Sequence, residues 1–282
     1  MGADVVVVIG VGGMGQAIAR RQGPGRKVLL ADFDAGTLAA AAGLLRGQGH
    51  DVTEQAVDVS SRSSVAALAG AAARLGRVTR VVHTAGLSPV QAPAAAVLRV
   101  DLLGTALVLE EFGRVVAEGG AGVVIASMAG HLLPAPLDAE QERALAHTPA
   151  DALLDLPFTD PELLGKGAYG LAKYGNRLRV RAAAASWGER GARINSISPG
   201  VIATPMGQRE LDGESGRTMR AMIAASGTGR VGTPDDIAEA AAFLLGPGAG
   251  FVTGTDLLVD GGVVAALHSG LLTPGADAAA AE

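Results

Sequence analysis

Seven short apolar runs, most of them without polar residues at alternate positions, are the feature that a fold for this chain must accommodate. They lie at 4–10 (DVVVVIG), 27–32 (KVLLAD), 52–59 (VTEQAVDV), 80–86 (RVVHTAG), 122–127 (GVVIAS), 192–198 (ARINSIS) and 256–262 (DLLVDGG). An unbroken apolar run suits a strand covered on both faces, whereas a strand with one wet face alternates. Between the runs lie stretches with helical spacing, many alanine-rich, at 13–22, 34–46, 61–75, 98–117, 166–188 and 234–245. Strand and helix in turn predict an α/β fold, a doubly wound parallel sheet whose right-handed crossovers put helices on both faces. With 282 residues, 49% of them hydrophobic, the chain can fill such a core as one domain spanning 1–268.

Two segments break the rhythm. Residues 131–167 carry five prolines and a short acidic helical stretch, and read as an insert near the carboxyl ends of the strands. The tail 269–282 reads as flexible. A net charge of −5 offers no overall positive field, so neither nucleic acid nor an anionic membrane is expected as a partner. Without cysteine there are no disulfides, thiolate metal sites or cysteine nucleophiles. The first apolar run has no basic segment before it and runs into glycines, so it reads as a strand rather than a signal peptide, and a cytoplasmic location is expected.

Gly10, Gly12 and Gly15 have G-x-G-x-x-G spacing after a predicted strand and at the start of a predicted helix. Such glycines permit a tight turn and let a pyrophosphate approach backbone N–H groups at the positive end of a helix. Alone the motif is weak in a chain with 41 glycines. Asp32, at the end of the second predicted strand, strengthens it. A carboxylate there accepts hydrogen bonds from ribose hydroxyls and repels a 2′-phosphate, which points to NAD as cofactor. The plainer alternative is a helix cap, for which Asp34 is better placed.

Tyr169 and Lys173 stand four residues apart and share one face of a helix. A fixed ammonium favours phenolate and brings a tyrosine towards the working range of a general acid/base. Tyrosine and lysine also meet at this spacing by chance. Ser127, at the carboxyl end of a central strand, supplies a hydroxyl where ligands bind in open α/β sheets.

With the glycine loop stand Asp58-Val59, HTAG (83–86), SMAG (127–130), YGLAK (169–173), NSISPGVIATPM (195–206) and TGTDLLVDGG (253–262), in this order along the chain. From about residue 4 to 264 the sequence resembles the short-chain dehydrogenase/reductase family, and its insert resembles that of the bacterial 3α-hydroxysteroid dehydrogenase/carbonyl reductase type. The resemblance implies a Rossmann-type fold, with Tyr169 as acid/base, Lys173 lowering its pKa and holding the nicotinamide ribose, and Ser127 positioning the substrate carbonyl. It also implies cofactor contacts at Gly13 and Met14 of the loop, at Phe33 beside Asp32, at Asp58 and Val59, at Ala85 and Gly86, and at Pro199, Gly200, Ile202 and Thr204. No metal site is expected: His83 has no partner at ligand spacing.

The sequence departs from the family pattern at several points. Ile9 occupies the usual threonine place of the glycine loop, which is one residue shorter, and His83-Thr84 replaces two asparagines. Asp101 stands where the family has a fourth catalytic residue, an asparagine. That asparagine helps hold a water linking the lysine to solvent. The expected activity is NAD(H)-dependent interconversion of a secondary alcohol and a ketone on a small apolar substrate, with a steroid-like frame as one candidate. Asp101 favours the alternative of a non-catalytic dinucleotide-binding regulatory protein, whereas a sugar-nucleotide epimerase or dehydratase lacks its separate substrate domain here. The resemblance further implies a homo-oligomer, and the insert, entering before helix 166–188, favours a dimer over a tetramer.

Overall fold

A computed structural model of the protein describes residues 2–90, 92–133 and 135–270. Its strands are β1 (Asp4–Ile9), β2 (Lys27–Asp32), β3 (Asp51–Ala56), β4 (Arg77–His83), β5 (Val116–Ile125), β6 (Arg193–Pro199) and β7 (Asp256–Val259). They form one sheet in the order β3-β2-β1-β4-β5-β6-β7, with every pairing parallel. The helices are α1 (Gly13–Gln22), α2 (Ala35–Gly47), α3 (Arg62–Leu75), α4 (Ala94–Val97), α5 (Gly104–Gly113), α6 (Ala139–His147), α7 (Pro161–Leu164), α8 (Ala168–Gly188), α9 (Pro205–Asp212), α10 (Gly216–Ala225), α11 (Pro234–Leu245) and α12 (Val263–His268). No helix of the described residues is long and apolar enough to cross a membrane.

The unbroken apolar run of β1 is divided between two cores by the two-residue period of a strand. Val5, Val7 and Ile9 join a layer with Val65 and Leu68 of α3, Phe112 of α5 and Leu171 of α8. Val6 and Val8 join the opposite layer with Ile18 of α1, Leu45 of α2 and Ile237 of α11. Side-chain caps start several of these helices. Asp34 accepts from the Thr37 N–H at α2, Ser61 accepts from Ser64 at α3, and Thr233 forms a reciprocal box with Asp236 at α11.

The structure moves several expected boundaries: β3 ends at Ala56, β4 runs from Arg77 to His83 and β7 ends at Val259. The helix expected over 98–117 begins at Ala94, widens into a π turn over Leu98–Leu103 and ends at Gly113. Residues from Val116 belong to β5, where Gly119 at φ 74° and Gly120 absorb an irregularity opposite Val78–Arg80. Residues 205–225, to which the sequence pattern assigned no element, form α9 and α10. Of the tail expected to be flexible, residues 271–282 lie outside the described residues.

The insert divides into ends and a body. Leu132, Leu133, Lys166 and Gly167 reach the cavity beside Tyr169. Its body instead lies on the flank of α5 and α8. Leu145, Ala150 and Leu153 are buried in the core layer of those helices. The Arg179 guanidinium of α8 donates to the carbonyls of Leu145 at 3.0 Å and Thr148 at 2.8 Å. Arg62 bridges Glu110 and Glu111 of α5 to Asp151 of the insert.

Candidate active site

The sheet order reverses between β1 and β4, and the carboxyl ends of these strands open a crevice where dinucleotides bind in such folds. Gly10 takes φ 89°, and a Cβ there would come 2.4 Å from the Ala85 nitrogen. A Cβ at Gly15 would come 2.0 Å from the Gly10 carbonyl oxygen. The Thr84 hydroxyl donates to that same carbonyl at 2.5 Å, so HTAG braces the glycine turn. Gly12 differs: a Cβ there would meet nothing within 4 Å, and no side chain caps the start of α1 behind it. The turn is thus closed by packing at Gly10 and Gly15, with open space and uncapped helix amides at Gly12. These residues fit a pyrophosphate.

Asp32 accepts from the Val11 N–H at 2.8 Å and the Asp34 N–H at 3.0 Å, which fixes its carboxylate beside the glycine turn. Phe33 next to it is 79% exposed. Asp58 accepts from the Ser60 N–H and hydroxyl, and Val59 is buried close to Gly104. Thr204 caps α9 through the Gly207 N–H, and its methyl would lie 3.1 Å from a Cβ on Gly13. Pro199 and Gly200 close the end of β6, where Gly200 packs directly on Asp260. Met14, Ile202 and Thr204 also line the neighbouring cavity.

At the chemical end, the Ser127 hydroxyl accepts from the Ala129 N–H at 3.1 Å and lies within hydrogen-bonding reach of the Tyr169 phenol. Lys173 Nζ stands 5.5 Å from the Tyr169 ring centre and donates to the Ile125 carbonyl at 3.4 Å. The SMAG turn docks on the backbone of α8: a Cβ on Gly130 would come 2.8 Å from the Tyr174 nitrogen. Arg177 holds the Gly130 carbonyl at 2.9 Å, and His131 contacts Asp256 at 2.8 Å. Asp256 also accepts from Ser196 and Ser198 and pairs with Arg177 at 3.2 Å. This polar network, which fixes the serine turn against α8 and β7, escaped sequence reasoning because its members lie far apart along the chain.

Asp101 sits in the π turn, fully buried, and pairs with Lys173 at 3.0 Å. Its other oxygen accepts from the Leu87 N–H at 2.8 Å, and Gly86 leaves the space for the pair, since a Cβ there would touch both partners. The Asp101 carbonyl accepts from the Thr105 hydroxyl at 2.7 Å. Burial pushes the Asp101 carboxyl up against the pull of Lys173. Burial pulls the Lys173 ammonium down, but Asp101 and Tyr169 more than offset it, so the net displacement is upward. Burial raises the Tyr169 phenol; Lys173 lowers it and Asp101 raises it again.

Tyr174 donates a hydrogen bond to Glu142 of α6. His83 is buried, and burial with the nearby Lys173 lowers its pKa to about 3, so the ring stays neutral. Among the described residues no three His, Asp or Glu side chains are grouped to hold a metal ion. The cavity beside Tyr169 is about 490 Å³. Five of the chain's six methionines line it, together with Glu210 of α9.

Residues 4–137 match the model of the short chain dehydrogenase family, and residues 163–264 match that of Enoyl-(Acyl carrier protein) reductase. The interval between them, 138–162, falls within the insert. The chain is 43% identical over 268 residues to the short-chain dehydrogenase/reductase bsc3 of Alternaria brassicicola, covering 95% of this chain and 98% of that one. The chain belongs to the short-chain dehydrogenase/reductase family. It is 29% identical over 262 residues to the 3-alpha-hydroxysteroid dehydrogenase/carbonyl reductase of Comamonas testosteroni, covering 86% and 97% of the two chains. The solved structure of levodione reductase superposes with a TM-score of 0.73 at 27% identity, covering 93% and 98%. As a member of this family the protein is an oxidoreductase of CH–OH and C=O groups that binds a nicotinamide dinucleotide.

The direct Asp101–Lys173 pair has a consequence for pH. Asp101→Asn removes the negative charge that raises Tyr169 while leaving the Leu87 contact available to the amide oxygen. Alcohol oxidation by this variant is expected to persist, with its pH–rate profile moved towards lower pH. A profile that does not move would show that Asp101 acts on the backbone alone.

Proposed function

We propose that the protein is an NAD(H)-dependent oxidoreductase that interconverts a secondary alcohol and a ketone on an apolar substrate. The observation that carries this reading is the convergence of Ser127, Tyr169 and Lys173 between the dinucleotide crevice and a cavity rich in methionine. A nicotinamide held here would supply hydride to the carbonyl carbon, or accept it in the reverse direction. Gly10, Gly12, Gly13, Met14 and Gly15 would cradle the pyrophosphate, with Asp58, Val59, Ala85 and Gly86 on the adenosine side and Pro199, Gly200, Ile202 and Thr204 on the nicotinamide side.

In the reducing direction Ser127 and Tyr169 hold the substrate oxygen, and Tyr169 gives it a proton as negative charge develops. In oxidation the phenolate takes that proton back. Lys173 stabilises the phenolate, and Asp101 together with the phenol offsets the cost of burying the Lys173 charge. This supports turnover over a non-catalytic regulatory role. Methionine is unbranched and adapts to irregular apolar shapes, so the cavity favours a bulky hydrophobic ketone, with a steroid-like ring system among the candidates.

The reading of NAD over NADP rests on Asp32. No arginine or lysine occurs over 33–44, and Arg46 near the end of α2 is committed to Glu54 at 2.7 Å. A 2′-phosphate would therefore face a carboxylate without a neutralising partner. For assembly, we propose a homodimer through a surface other than the α5/α8 flank, because the body of the insert covers that flank. A cytoplasmic location remains part of this proposed reading.

Three measurements test these statements. Absorbance of NADH followed over a panel of alcohols and ketones should reveal turnover. Tyr169→Phe should lower it by about 10² to 10⁴ with little effect on NADH affinity, and Tyr174→Phe should change it little. Equal losses in the two variants would remove Tyr169 from its role. By calorimetry NADH should bind at least about tenfold tighter than NADPH, the equivalent of ~1.4 kcal/mol; the opposite order would displace Asp32 from the ribose. Sedimentation equilibrium should give the mass of two chains, and a tetramer joined through α5 and α8 would refute the covered flank.

A further inference from the structure

Among the described residues that line the cavity beside Tyr169, Glu210 is the one carboxylate. It lies on α9, half-buried, and the Ser88 hydroxyl hydrogen-bonds to it. Burial raises its carboxyl above the usual value, and its charge is close enough to raise the Tyr169 phenol. The other charged side chain at this cavity, Lys166, is paired at 2.8 Å with Glu214 at the exposed rim. Around Glu210 the lining is largely apolar: Met14, Met128, Met206, Met219 and Met222, with Leu132.

A carboxylate has two oxygens and about four acceptor sites, more than one hydroxyl donor can fill. A purely apolar substrate entering this cavity would strip water from Glu210 and give no hydrogen bond in return, which opposes binding. A substrate bearing a donor at that end would replace the lost water. Sites of this kind reject the analogue that lacks the donor.

We propose that Glu210 is a specificity-determining residue that selects ketones and alcohols carrying a second hydrogen-bond donor, a hydroxyl or an ammonium, on an apolar frame and away from the reacting carbon. This rests on the alcohol–ketone reading above and refines the substrate class. The two sources of the donor differ in charge, so one set of ligands separates them.

The test uses matched ketones whose far substituent is methyl, hydroxyl or amino, in two sizes: 4-substituted cyclohexanones and the corresponding fused two-ring ketones. In the parent enzyme kcat/KM for at least one donor-bearing ketone should exceed that of its methyl counterpart by about 10- to 100-fold, the range of a charge-assisted hydrogen bond in a half-buried site. Glu210→Leu should reverse the order, with the methyl ketone gaining and the donor-bearing ketone losing. Glu210→Gln should keep part of a hydroxyl preference and lose an ammonium preference. A preference for the amino over the hydroxyl member in the parent would assign the donor as an ammonium, and the reverse as a hydroxyl. No preference in either size, or an unchanged preference in Glu210→Leu, would overturn the proposal. So would a Glu210→Leu variant whose only change is weaker NADH binding, because Glu210 would then serve the cofactor.

If none of the ketones is turned over, the activity reading fails by itself. Calorimetric binding of the same series to the NADH complex of the parent and Glu210→Leu proteins then decides the role of Glu210: a donor preference lost in the variant supports it, and equal binding rejects it.

Discussion

Burial of β1 and β4 on both faces is the constraint from which the rest of this molecule follows. A strand such as Val5–Ile9, fully apolar and fully buried, cannot sit at a wet surface. It needs helices above and below, and parallel crossovers supply them. With β1 and β4 adjacent, the chain leaves the sheet in opposite lateral directions on either side, and a crevice opens at their carboxyl ends. The glycines at positions 10 and 15 are required by that closeness, because backbone meets backbone where any side chain would stand.

The same closeness shapes the chemistry. Ser127 comes from the end of β5 and Tyr169 from α8, and Gly130 lets their supports touch without an intervening side chain. Lys173 is buried where water cannot hold its charge. Asp101, brought inward by the π turn, provides the opposing charge at 3.0 Å. Breaking a buried pair by removing one partner is far more damaging than its net contribution suggests. The pair therefore ties the electrostatics of the phenol to a turn of a separate helix. Widened helical turns of this kind recur at functional sites, since they displace one side chain without ending the helix.

The insert shows how a family fold accepts a long addition. Its two ends join the rim of the cavity, while its body packs apolar residues on α5 and α8 and is clamped by Arg62 and Arg179. One addition thus reaches both the substrate mouth and the outer surface of the catalytic helix. Tyr174 takes part in that outer packing through Glu142, which explains why two tyrosines five residues apart, Tyr169 and Tyr174, face different tasks.

The sequence by itself determined what depends on neighbours along the chain. The seven strands were legible from unbroken apolar runs, and the long helices between them, α9 and α10 excepted, from helical spacing. Asp34 and the glycine turn were legible from local backbone requirements, and Tyr169 with Lys173 from one turn of helix. The family resemblance supplied the joint reading of Ser127 with that pair. Only the tertiary structure decided contacts between distant segments. It joined Asp101 to Lys173 across 173 − 101 = 72 positions, engaged the Asp101 carbonyl with Thr105, and brought Glu210 to a cavity lined by scattered methionines. It also packed the body of the insert on the flank of α5 and α8. The physical reason is one of range: hydrophobic period and backbone geometry act over a few residues, whereas desolvation and charge pairing are set by whatever the completed fold places within a few ångströms.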